Sequence, residues 1–330
     1  MQIDVKTQAV EPQRNAYDHL VRRFGDKPAS RYQEASYDLQ VTENFHYRPT
    51  WDPEQELYDK NLSKITMQDW YAIKDPRQYY YSTYTLARAR QQETTEANFT
   101  FVETRGLAEM LPEEVKTIAM DLLIPLRHAA WGANQHNSFI RGYGYGTTFT
   151  QPCMWAAMDN LGIAQYLSRL GLLLGDTEAL AKGKDDWVNA DAWQPLRRYV
   201  EDCLVVRDPV ELFVAQNVVL DGILYPLVYE TIVDDYLSVK GGGSIAMLTQ
   251  FMTDWYKEGR RWIDGVMKTM AAESDENRAI LTEWLDKWGE RATAAMLPVG
   301  EIALGAAADE AVAEQAEALK KRMAKAGITY

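Results

Sequence analysis

A chain of 330 residues, 46% of them hydrophobic, is long enough for one large or two ordinary domains and needs no staples to hold its core. Lysine and arginine total 35 against 48 aspartates and glutamates, and the resulting charge of -13 disfavours nucleic acid and anionic membranes as partners. Cys153 and Cys203 are the only cysteines, which excludes a disulfide framework or a thiolate metal site and predicts two reduced, buried thiols.

The chain opens MQIDVKTQAVEPQRN, with neither the charged start nor the apolar stretch of a secretory signal. The most apolar windows, 118–130 and 210–233, are interrupted by polar and charged residues and fall short of the ~20 consecutive apolar residues of a membrane span. A cytoplasmic location is expected.

Residues 1–60 predict an extended arm. Pro12, Pro28, Pro49 and Pro53 break any helical period. Tyr17, Phe24, Tyr32, Tyr37, Phe45, Tyr47, Trp51 and Tyr58 make the segment too aromatic for a disordered tail. Eight aromatics burying ~150–250 Å² each cover about the area of a standard interface. Ordering the backbone costs ~1–2 kcal/mol per residue, which matches or exceeds that gain. The balance favours an arm ordered by assembly, lying on its own bundle or on another chain, with Tyr32, Tyr37, Phe45, Tyr47 and Trp51 as partner-contact candidates.

From residue 61 to 330 the pattern is helix after helix. Asp52-Pro53-Glu54-Gln55, Asp75-Pro76-Arg77-Gln78 and Asp208-Pro209-Val210-Glu211 each offer a capping Asp, a first-turn Pro and a Gln or Glu three residues on. Helices are predicted over 63–72, 76–105, 112–140, 150–174, 186–205, 209–238, 244–272, 275–296 and 308–326. The glycines at 142, 144 and 146, and at 241 to 243, separate neighbours. The last helix carries Asp309 and Glu310 early and Lys320, Lys321, Arg322 and Lys325 late, complementing its dipole. No alternating strand run or hairpin turn occurs, so the fold class is all-α. Because 210–233 is apolar nearly all round, it is expected as the buried axis of a large long-helix bundle.

Such bundles are where di-iron centres are built, from a Glu on each of two helices and Glu-x-x-His on each of two others. Of His19, His46, His128 and His136, only His46 has a glutamate three residues earlier, in Glu43-Asn44-Phe45-His46, and that pair lies in the arm. Ala133-Asn134-Gln135-His136 puts a methyl group where the carboxylate would stand. His128 and His136 are therefore expected as satisfied interior or interface histidines, and the bundle as lacking a metal site. Gly142-Tyr143-Gly144-Tyr145-Gly146 has its third glycine one position early for a dinucleotide loop and no strand before it. Gly241 to Ser244 lacks the lysine of a phosphate loop, and no GxSxG motif occurs. Gln216 and Glu230, fourteen apart, fall on one stripe of the buried helix with Asp221 to the side. Arg127, Arg141 and Arg169 are the expected partners.

Four stretches carry a resemblance that spans the chain: Arg31-Tyr32-Gln33-Glu34-Ala35-Ser36-Tyr37-Asp38, Asn44-Phe45-His46-Tyr47-Arg48-Pro49-Thr50-Trp51, Asp75-Pro76-Arg77-Gln78-Tyr79-Tyr80-Tyr81-Ser82-Thr83-Tyr84 and Trp131-Gly132-Ala133-Asn134-Gln135-His136-Asn137. They are similar to the beta subunit of the hydroxylase component of bacterial multicomponent monooxygenases, and most of all to that of phenol hydroxylase.

The resemblance implies a ferritin-like (ribonucleotide-reductase-like) bundle without di-iron ligands, and an arm that embraces an alpha subunit. It implies no catalytic, cofactor-binding or metal residue on this chain and a di-iron centre on the alpha subunit. It also implies a gamma subunit, a dimer of alpha-beta-gamma protomers, a reductase and a small effector protein. The assembly would convert phenol to catechol with O₂ and NADH-derived electrons. Three other readings stand beside it. One is a beta subunit of a toluene or alkene monooxygenase. The second is a self-sufficient di-iron oxidase, whose ligand set is missing, and the third is a helical adaptor unrelated to oxygenases.

Overall fold

The computed structural model describes residues 17–40, 48, 50 and 52–330, and among these residues it contains helices and no strand. Two short helices come first, α1 (Asp18–Phe24) and α2 (Arg31–Ser36). Ser30 and Gln33 form a reciprocal capping box on α2: Ser30 Oγ accepts from Gln33 N at 3.2 Å, and Gln33 Oε1 accepts from Ser30 N at 2.8 Å. The described part of the arm lies on its own bundle. Leu20, Tyr32, Tyr37 and Tyr71 bury one another, with Phe24 edge-on to Tyr37 at 4.9 Å. Arg23 bridges Asp38 at 3.0 Å and Asp69 at 2.5 Å, while Ser36 Oγ donates to Gln151 Oε1 at 2.8 Å.

The helix expected over 63–72 is absent except for a single 3₁₀ turn, Trp70–Ala72, capped by Asp69. The reason lies far along the chain. Asn277 Oδ1 accepts from Thr66 N at 3.1 Å and its Nδ2 donates to Thr66 O at 2.8 Å, so the backbone is satisfied without a helix.

Of the three Asp-Pro starts, only Asp208 caps a helix, accepting from Val210 N at 2.8 Å and Glu211 N at 3.2 Å. Asp75 instead holds Arg77, through Nε at 2.9 Å and the backbone N at 3.0 Å, and Gln78 turns to φ 53. The next helix, α3 (Tyr81–Thr104), therefore begins five residues later than expected. Asp52 is spent on an ion pair with Arg207 and starts no helix.

The helix expected over 112–140 divides into α4 (Glu113–Leu123) and α5 (Leu126–Tyr143), because Pro125 supplies no N–H to carry the ladder through. After a turn at Gly144, α6 (Thr147–Asn189) runs back beside α5 and is kinked where Gly175 and Asp176 leave helical geometry. A bend at 190–193 then leads to α7 (Gln194–Cys203), shorter than the 186–205 expected.

The buried axis spans 209–242. It starts as α8 (Pro209–Phe213), widens into π turns over Val214–Leu220, tightens through α9 (Asp221–Tyr225) and widens again over Pro226–Gly242. Wide turns of this length are unusual and are found mostly at functional sites. Gly241, at φ 97, ends the axis in a left-handed conformation that a side chain would strain. Three helices follow: α10 (Gly243–Glu273) and α12 (Ala308–Lys325) lie close to their expected bounds, while α11 (Asp275–Leu304), capped by Ser274, runs past its expected end at 296. A window within Pro209–Glu273 is apolar enough to cross a membrane by length and composition, but 94% of it is buried in the bundle.

Candidate functional site

The axis brings its polar residues to one place at the bundle centre. His136, on the buried face of α5, has Nε2 at 3.0 Å from Val200 O and Nδ1 at 2.7 Å from the Gln216 side-chain amide. The other end of that amide lies 2.8 Å from Asp221 Oδ1. Beside this chain Asn217 Nδ2 donates to Asn137 Oδ1 at 3.0 Å, and Tyr199 OH donates to Ala215 O at 2.8 Å. Asp221 Oδ2 is buried without a hydrogen-bond partner. It borders an interior space of about 20 Å³, also lined by Ala133, Asn160, Gln216 and Tyr225, which has room for about one water. Burial lowers the His136 pKa, opposed by its two hydrogen bonds. Burial also pushes Asp221 up to about 7, against the pull of Gln216 and the Arg322 charge.

A di-iron pair needs four carboxylates and two histidines. Around this central space the donors are one imidazole with both nitrogens engaged, several amides and one carboxylate, and Ala133 stands one turn before His136 on the same face. These residues do not fit a di-iron centre. Among the described residues no three His, Cys, Asp or Glu side chains come close enough together to hold a metal. Glu43 and His46 lie outside the described residues.

Other expected residues fall in different places. Glu230 is half-exposed and pairs with Lys257 at 3.4 Å rather than with a buried arginine. Each wide turn of the axis adds a residue, so Gln216 and Glu230 lose the common stripe that an α-helix would give them. Arg127 donates to Leu180 O at 2.7 Å, and Arg169 pairs at the surface with Glu96 and Glu103. His128 stacks on Trp187 at 5.7 Å, and burial lowers its pKa to about 4. Cys153 and Cys203 are both buried, which pushes their thiols up. Tyr32 and Tyr37 are turned into their own chain and leave little surface for a partner. Phe45, Tyr47 and Trp51 lie outside the described residues.

Two features escaped sequence reasoning. The first is a buried ion lattice. Asp159 accepts from Tyr84 OH at 2.7 Å, from Arg88 Nε and Nη2 at 2.8 Å each and from Trp255 Nε1 at 2.8 Å. Glu258 accepts from Arg88 at 3.0 Å and pairs with Arg77 at 3.5 Å, and these contacts hold it below the usual carboxylate range despite its burial. The lattice ties α3, α6 and α10 together with the 75–77 turn. The one available clue was an acid, Asp159, on the apolar face of a predicted helix.

The second is an exposed apolar stripe. Met154, Met158, Leu161 and Leu172 recur at helical spacing on the outer side of α6, and Trp131, 53% exposed, lies on the outer side of the paired α5. Asn134 Nδ2 donates to Ala157 O at 2.7 Å, which sets the register of the two helices.

An all-helical bundle around a buried axis, with a polar but ligand-poor centre, is the setting in which relatedness becomes informative. Residues 48–274 match the Methane/Phenol/Alkene Hydroxylase family. The chain is 50% identical over 330 residues to the phenol 2-monooxygenase oxygenase component DmpL of Pseudomonas sp. (strain CF600), covering 99% of this chain and 98% of that one. This chain belongs to the methane/phenol/alkene hydroxylase family.

Within the family it is of the beta type, and its bundle is ferritin-like. It is 24% identical over 287 residues to the hydroxylase subunit beta of the toluene-4-monooxygenase system of Ectopseudomonas mendocina, covering 81% of this chain and 86% of that one. A chain of the phenol hydroxylase of Pseudomonas sp. OX1 superposes with a TM-score of 0.91 at 45% identity, with 99% of each chain covered. Membership of the family removes the reading as a helical adaptor unrelated to oxygenases.

Proposed function

We propose that this chain is the non-catalytic scaffold subunit of a di-iron phenol hydroxylase. A catalytic alpha subunit would hold the di-iron centre and insert one atom of O₂ into phenol to give catechol, with electrons drawn from NADH through a reductase. This chain acts by packing: a rigid bundle fixes the helices of its partner, and so the metal ligands that those helices carry. The observation behind this reading is the donor set at the bundle centre, where one engaged imidazole and one carboxylate stand in place of six ligands. The exposed stripe of Trp131, Met154, Met158 and Leu161 supports it, because apolar surface of that kind marks an interaction site.

The same reading takes residues 1–60 as an arm reaching the alpha subunit and 61–330 as the bundle, with Phe45, Tyr47 and Trp51 as arm contacts. A gamma subunit completes a protomer that pairs with a second, the small effector protein is a further partner, and the assembly is cytoplasmic. Phenol is preferred over toluene as substrate because identity is 50% to the phenol 2-monooxygenase component and 24% to the toluene-4-monooxygenase subunit.

The test is expression alone and beside the alpha and gamma subunits. Alone, the chain should carry no stoichiometric iron and leave phenol unchanged; together, the three should elute as one complex that makes catechol. Two irons per isolated chain, or failure to co-elute, would overturn the proposal.

A further inference from the structure

We propose that His136, Gln216 and Asp221 bind one proton between them at the centre of the bundle, and that this proton rests on Asp221 while His136 stays neutral. The argument is a count of donors. Val200 O can only accept, so His136 Nε2, 3.0 Å away, carries a hydrogen. A side-chain amide has one accepting end and one donating end, and which end faces which neighbour is set by the network.

If the Gln216 oxygen faces His136 Nδ1 at 2.7 Å, Nδ1 must also carry a hydrogen, and the ring is an imidazolium opposite an ionised Asp221. If the amide is turned over, its NH₂ donates to a neutral Nδ1 and its oxygen faces Asp221 Oδ1 at 2.8 Å, which then must donate as a protonated acid. The combination ordinary for neutral water, a neutral histidine beside an ionised aspartate, sets two acceptors face to face in either orientation. The geometry therefore requires at least one proton more than the free side chains would hold.

Burial decides where it sits. Both groups lie deep in the apolar centre, so the arrangement with no charge on either is preferred over the ion pair. The surrounding groups do not restore a charge. Arg322, on α12, has its guanidinium paired with Asp264 of α10 at 2.8 Å and donates to Tyr256 OH at 2.7 Å. On α11, Arg291 is paired with Asp202, and on α6 Asp159 is held by Arg88. Tyr225 on α9 and Tyr199 and Cys203 on α7 are kept neutral by burial. A neutral chain of hydrogen bonds thus runs from Val200 O to Asp221 Oδ1, with the amide of Gln216 as its adaptor and only Asp221 Oδ2 left without a partner.

The test uses the full-length chain at neutral pH. Nitrogen NMR of the His136 ring should show a neutral imidazole protonated at Nε2 alone. The infrared difference between wild type and Asp221→Asn should contain the carbonyl band of a protonated carboxylic acid. Asp221→Asn should also raise the denaturant midpoint above that of wild type near neutral pH, since the asparagine NH₂ supplies the donor that the acid supplies while its unfolded chain gains nothing by ionising. An imidazolium at His136, or a neutral ring with carboxylate bands in place of the acid band, would overturn the proposal. If the variant fails to fold, wild-type protein still decides the matter: the ring nitrogens show whether His136 is charged, and the infrared difference between unlabelled and carboxyl-labelled aspartate protein shows whether a protonated aspartic acid is present.

Discussion

Arg88 grips Asp159 with two parallel hydrogen bonds of 2.8 Å between α3 and α6. The carboxylate is almost fully enclosed, and the remaining lone pairs are taken by Tyr84 and Trp255. A buried pair is weak evidence for stability in itself, but removing one member leaves the other charged and unpaired. Arg88→Ala should therefore lower the unfolding free energy by about 3–5 kcal/mol. Denaturant titration checks it, and a loss below ~1 kcal/mol would show that the site rehydrates.

The Asp221 contribution to stability should fall as pH rises towards neutrality. Asp221 titrates near 7 in the fold and near ~3.9 when unfolded, so the folded chain holds the extra proton between those values. Its contribution is complete below about pH 4 and lost as pH rises through about 7, on the order of a few kcal/mol in all. His136 works in the opposite sense: its pKa is lowered in the fold, so its contribution is present above about 6.5 and lost on acidification. Below about 6.5 the two trends offset each other, so wild-type denaturant midpoints measured from about pH 5 to 9 should decline between about 6.5 and about 7 and level off above, and Asp221→Asn should remove that decline.

A methyl group at Gly132 has nowhere to go. Its Cβ would lie 2.4 Å from Val200 Cγ1, and Val200 also presents the carbonyl that receives the His136 Nε2 hydrogen bond. Gly132→Ala should cost about 1–3 kcal/mol by overpacking. Adding Val200→Ala should recover part of that loss, and thermal unfolding of the two variants makes the comparison.

Trp131→Asp combined with Met158→Lys alters only exposed positions, so the isolated chain should keep its stability to within about 0.5 kcal/mol. Under the scaffold reading, the same pair should weaken association with the catalytic subunit by about tenfold or more, equivalent to ~1.4 kcal/mol. Analytical size exclusion at graded concentrations would reveal it. Unchanged association would remove the α5–α6 face from the interface.

How much was legible in the sequence depended on the distance between cause and effect. The last three helices were placed within a few residues at nearly every end, because their stops are local: three glycines at 241–243, Ser274 as a cap and Gly327 after α12. The one late end, α11, runs eight residues past its expected stop because Pro298 is absorbed within the helix. Thr66 was misread because the residue that satisfies its backbone, Asn277, lies 211 positions away. His136 was legible as an interior histidine, but its partners were not, since the wide turns that aim Gln216 at it leave no mark in residue spacing. Of the Arg88–Asp159–Glu258 lattice only Asp159 left a trace, as an acid on an apolar face, while Arg88 and Glu258 look like solvated surface until three helices are folded together.

Cys153 and Cys203 give the molecule a built-in reporter on its own opening. Both sulfurs are buried and held as thiols, so an alkylating reagent reaches them only when the surrounding packing parts. Equal modification rates at the two would mean that α6 and α7 come away in a single cooperative event. Unequal rates would rank the two helices by how often each breathes.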